Sequence, residues 1–159
     1  MNVVISGGFL PDLPRIVGVI GVSVTDFDWH IANVEAAPWD AGSGQGWFSG
    51  DELASRFAND PVDIYWGVFD AFPAGMRPNI EVQPWADGDA SVWDADARPQ
   101  IAGAKFEIVY WDSGDVILIG LTEGQAASVT KRILRRTHRL MVSELHSRRG
   151  SRHELCGYV

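Results

Sequence analysis

Through roughly the first 120 residues apolar side chains recur mostly at every second position, the period of a β-strand, and a helical period takes over only near the end. Arg15 to Val24 is β-branched and apolar on both faces, which reads as a central strand. Asp26 to Val34 then alternates Phe27, Trp29 and Ile31 with Asp26, Asp28 and His30, so the two segments read as neighbouring strands or one long bent strand. Pro38 to Gly46 is a glycine-rich loop, mobile or facing a partner. Ser49 and Glu52 have the spacing of a capping box, Leu53 and Phe57 share a face, and Asn59-Asp60-Pro61 ends the short helix that these residues define.

Val62 to Phe72 reads as a strand with Val62, Ile64, Trp66 and Val68 on one side, and Ile80 to Val82 as a shorter one between Pro78 and Pro84. Pro84 to Pro99 is acidic and turn-rich and reads as an irregular loop. Lys105 to Trp111 and Val116 to Leu121 flank Asp112-Ser113-Gly114-Asp115 and form the clearest hairpin. Thr122 and Gln125 form a second capping box. Beyond it Ala126, Val129, Ile133, Leu134, Thr137, Leu140, Met141 and Leu145 fall in one helical arc, opposite Lys131, Arg132, Arg135, Arg136 and Arg139.

Strands followed by a long helix, without strand and helix alternation, predict an α+β fold. The expectation is a mainly antiparallel curved sheet with a short helix and a long C-terminal amphipathic helix packed on it. Residues 1–147 form one domain in this reading, and residues 148–159 a flexible basic tail. The three Trp-Asp pairs at Trp39, Trp93 and Trp111 are too unevenly spaced for a propeller repeat.

Composition narrows the class. With 46% hydrophobic and 21% charged residues in 159, the chain is globular, and no apolar run reaches the roughly 20 residues of a membrane span. The opening Met-Asn-Val-Val-Ile-Ser-Gly-Gly lacks the basic and apolar regions of a secretory signal, which predicts a cytoplasmic protein. Cys156 is the only cysteine, so neither an internal disulfide nor a thiolate zinc site is expected. Arginine outnumbers lysine strongly, only Lys105 and Lys131 being lysines, a bias of GC-rich bacterial genomes. Charge is segregated: residues 1–130 hold 19 acids and five bases, residues 131–159 eight bases and two acids. An acidic body repels nucleic acid and steers basic partners toward it.

Three constellations could carry chemistry. Asp26, Asp28 and His30, at alternate strand positions, share one face and could serve a small metal-dependent or acid/base enzyme. The run Asp87 to Asp96 gathers four carboxylates but has Val92 where a calcium loop needs glycine and Arg98 where it needs glutamate. Seven tryptophans are present, and Trp39, Trp85 and Trp93 fall in loops beside aspartates. Such rings serve as protein-binding anchors or as stacking platforms in a carbohydrate-binding module. No nucleophile elbow, HExxH or phosphate loop occurs, so no catalytic residue, metal or cofactor is assigned.

Phe106-Glu107-Ile108-Val109-Tyr110-Trp111-Asp112-Ser113, followed by Val116-Ile117-Leu118-Ile119 and a capped helix, resembles small cytoplasmic immunity proteins of bacterial polymorphic toxin systems over about 40 residues. That resemblance implies a stoichiometric inhibitor of a cognate toxin. The residues expected at such an interface are Trp39, Trp85, Asp87, Asp89, Trp93, Asp94 and Asp96. The expected partner is a basic protein toxin, with no role for a membrane or nucleic acid.

Overall fold

Asp12 and Gly21 bracket a helix where the apolar run suggested a strand. The Asp12 carboxylate accepts the Arg15 backbone N–H at 3.1 Å, Pro14 lies in the first turn, and Gly21 closes the helix at φ 100°, donating to the Val17 and Gly18 carbonyls. The computed structural model, which describes residues 1–7, 11–39, 43–59 and 62–133, places α1 at Leu13–Ile20. Leu13, Ile16, Val17 and Ile20 are all buried, and their i, i+3, i+4, i+7 spacing is a helical stripe hidden inside a continuous β-branched run.

Around it stand β1 (Val3–Ser6), β2 (Phe27–Ala37), β3 (Gly46–Ser49), α2 (Gly50–Asn59), β4 (Asp63–Pro73), β5 (Phe106–Trp111), β6 (Asp115–Ile119) and α3 (residues 123–133). The six strands form one antiparallel sheet in the order β1-β6-β5-β4-β2-β3, so the α+β expectation holds. β5 and β6 are the expected hairpin, turning through Asp112 and Ser113 at φ 46° and 55°, the left-handed pair that suits the twist of a tight hairpin. α3 carries the start of the predicted amphipathic helix. Its expected continuation to Leu145 and the basic tail 148–159 lie outside the described residues.

Ile80 to Val82 is not a strand. Prolines on both sides limit donors for a ladder, and Val82 remains 82% exposed. Val62, Ile64, Trp66 and Val68 do not share one side either. The β2–β4 pairing slips at Glu35, which faces Trp66 while Ala36 faces Ile64, so Val62 and Ile64 join one core and Val68 the other. β1 and β3, four residues each, were not expected.

The first sheet face carries Trp29, Ile31, Phe69, Phe106, Ile108 and Leu118, and α1, Leu53 of α2 and Val129 of α3 cover it. Trp29 anchors this layer, edge-on to Phe27 and Phe106, its indole N–H donating to the Val24 carbonyl at 2.9 Å. The second face carries Val68, Val109, Ile117 and Ile119, and Ala86 and Val92 of the acidic loop cover it.

α2 follows β3 without a linker, and Gly50 makes that junction possible. A Cβ there would lie 2.5 Å from the Val24 carbonyl oxygen, 2.6 Å from that of Phe27 and 2.7 Å from Thr25 Cα, all backbone atoms. Gly50→Ala is therefore expected to destabilise the fold by about 2 kcal/mol through overpacking. A urea midpoint equal to that of the unmodified protein would contradict this.

Candidate interaction site

The chain from Trp85 to Gln100 crosses the second sheet face, and its fastenings explain why a turn-rich acidic segment takes one shape. Val92 is buried in the short 3-10 turn Ala90–Trp93, which Asp89 caps by accepting the Ser91 backbone N–H at 2.9 Å. Those bonds to Ser91 hold the Asp89 carboxyl below its usual pKa. From the neighbouring strand end, the Asn2 side-chain amide donates to the Asp94, Ala95 and Ala97 carbonyls at 3.1, 3.3 and 2.9 Å, while its oxygen accepts Gly120 N–H at 3.0 Å. One asparagine thus ties the loop to the sheet.

Three residues beyond Ala97, Gln100 donates through its backbone N–H and its side-chain amide to the two Glu107 carboxylate oxygens at 2.8 and 3.2 Å. Its own side-chain oxygen accepts Trp85 N–H at 2.9 Å, and the Trp85 indole N–H donates to the Asp87 carbonyl at 2.7 Å. With its hydrogen bonds made locally, the Trp85 ring stays 53% exposed. Trp93, 40% exposed, stands edge-on to Trp111, whose ring in turn lies 5.0 Å from that of Trp66. Between loop and sheet a cleft of about 220 Å³ has Glu107 and Ile119 at its floor, with Asp94, Asp96 and Arg98 among its walls.

Trp85, Asp87, Asp89, Trp93, Asp94 and Asp96 are thus brought together on one loop. Trp39 is not: it packs on Phe57 at 5.3 Å with the Arg56 guanidinium 4.5 Å from its ring, against the first-face core.

Of Asp26, Asp28 and His30, only Asp28 and His30 lie in β2 and keep the shared face, while Asp26 falls outside the strand. Asp26 belongs to a 3-10 turn and accepts Ser23 N–H at 2.7 Å. Asp28 bonds Arg77 Nε at 2.9 Å, and that guanidinium holds its carboxyl below the usual range. His30 is buried edge-on to Trp47, and burial lowers its pKa, so the ring is neutral at pH 7. Among the described residues no three His, Cys, Asp or Glu side chains stand together in a way that could hold a metal ion.

Beside His30 lies a feature not anticipated from the sequence. Pairing sets His30 opposite Asp70 and Asp70 opposite Glu107, so one imidazole and two carboxyl groups cross three strands in a row, all buried. Burial, and then the neighbouring Glu107, push the Asp70 carboxyl up to about 9, and burial raises Glu107 as well. A signal for this row existed: Asp70 sits between Val68 and Phe72, and Glu107 two residues from Val109, acids in line with apolar residues on one strand face.

No family model matches the chain, and neither the curated proteins nor the solved structures include a significant match. Among the described residues no helix is long and apolar enough to cross a membrane.

Proposed function

We propose that the chain is a protein-binding inhibitor that neutralises a basic toxin of a bacterial polymorphic toxin system by one-to-one capture, using the 85–100 loop. The observation that carries this reading is the pairing of exposed Trp85 and Trp93 with Asp87, Asp94 and Asp96 on a segment held to the sheet by Asn2 and by Gln100 through Glu107, with Trp85 tied back to Gln100. Interface anchors are typically aromatic, and they cost least when their backbone is already held in the bound shape. The surrounding carboxylates supply the complementary field that speeds encounter with a basic protein. The likeness of the β5–β6 segment to immunity proteins points to the toxin as the class of basic partner. A cytoplasmic site of action belongs to the same proposal.

The test is a tagged pull-down from the source cells, read by mass spectrometry at low and high salt. A single stoichiometric basic protein whose toxicity the chain suppresses is expected. Recovery of only salt-sensitive, substoichiometric proteins would contradict the proposal.

A further inference from the structure

Asp70 and Glu107 face each other across β4 and β5 with both side chains closed off from water. Cross-strand partners hold their Cβ atoms about 5 Å apart, so the two carboxyl groups lie in each other's field. Among the described residues no amide, hydroxyl or guanidinium donates to either Asp70 oxygen, whereas Gln100 occupies both oxygens of Glu107. Two carboxylates in a dry site repel, and the pair is relieved when one proton sits between them, carried by Asp70 and offered to Glu107.

The surrounding groups do not supply a cation instead. His30, from β2, is neutral, and its Nδ1 has no partner among the described residues. Further along β2, Asp28 is already matched by Arg77. Asp89 on the loop adds negative field at Glu107. Arg98 stands in the cleft wall together with Asp94 and Asp96.

We infer that the proton shared by Asp70 and Glu107 is a latch for the exposed loop, keeping Glu107 in place as the acceptor for Gln100, which in turn holds Trp85. When the proton leaves Asp70 for solvent through the cleft beside Glu107, two facing carboxylates remain, Glu107 turns toward the cleft, and Gln100 and Trp85 are unseated together. As regulation of partner capture this rests on the reading of the loop as the binding surface. The latch itself is a property of the free protein and is tested there.

The experiment is an NMR titration of the isotope-labelled full chain from pH 5 to 10.5, following the Asp70 and Glu107 carboxyl carbons and the Gln100 and Trp85 amides. A carboxyl midpoint near 9 is expected, with both amides shifting at that same midpoint. Their exchange protection, corrected for intrinsic base catalysis, should fall at least about tenfold across it. In Asp70→Asn both amides should remain protected throughout. Asp70 titrating near 4, or amides that ignore the carboxyl titration, would overturn the latch, and the unmodified chain alone decides this if the variant fails to fold. Loss of partner capture with an intact titration would overturn the binding proposal and leave the latch standing.

Discussion

Asp70→Asn is expected to raise the unfolding free energy at pH 8 by on the order of 3 kcal/mol, an unusual gain for a single buried substitution. The folded protein holds a proton on Asp70 up to about pH 9, while the unfolded chain releases it near 3.8. Between those values the native state binds more protons, so wild-type stability falls as pH rises from about 4 to about 9 and levels off above. Asparagine has no proton to lose, and its amide can still donate to Glu107. Urea unfolding at pH 5, 7 and 9 should therefore show a flatter profile for the variant, with its advantage growing toward alkaline pH. Parallel profiles would mean that the carboxyl pair is not what makes the protein sensitive to alkali.

The second large effect falls on binding. Trp93→Ala, Asp94→Ala and Asp96→Ala combined are expected to weaken capture of the basic partner about 100-fold, roughly 3 kcal/mol. The fold should tolerate the change. Asn2 bonds the main-chain carbonyls of Asp94, Ala95 and Ala97, which alanine retains, and the lost Trp93–Trp111 contact is worth about 1 kcal/mol. Trp39→Ala is the matched comparison. Its ring supports Phe57 and Arg56 on the other face, so it should lower stability and leave affinity unchanged. Calorimetric titration of both variants reads the contrast, and equal losses of affinity would remove the loop from the interface.

Local signals carried much of the fold. The Ser49/Glu52 box closes in both directions at 3.2 and 3.4 Å, and the hairpin around Asp112 lies where alternation and turn chemistry put it. The Arg15–Val24 segment reads as a strand because its β-branching outweighs its caps, and it is a helix over Leu13–Ile20. Asp12, Pro14 and Gly21 were visible, and they fix the helix. Strand faces were harder. A slip at Glu35 moves Ile64 and Val68 into different cores, and nothing local to β4 encodes a slip made with β2. Likewise Asp26, Asp28 and His30 share a face only if all three lie in one strand, and the 3-10 turn at Val24–Asp26 ends that.

For the site, Trp85 and Trp93 could be placed in a loop from composition, but not their distance from Trp39. That depends on which sheet face each segment covers. The Asp70–Glu107 pair was legible in part, as acids in apolar strands. That they lie opposite each other depends on the β4–β5 register, which only the assembled sheet sets.

Capture and silencing of a basic toxin by the acidic loop is read out by titrating the isolated partner's toxic activity against the purified chain. Complete suppression at one equivalent at physiological salt, shifted to large excess by the Trp93, Asp94 and Asp96 substitutions, is the predicted result. Full activity of the partner in saturating complex, or equal suppression by the substituted chain, would contradict it.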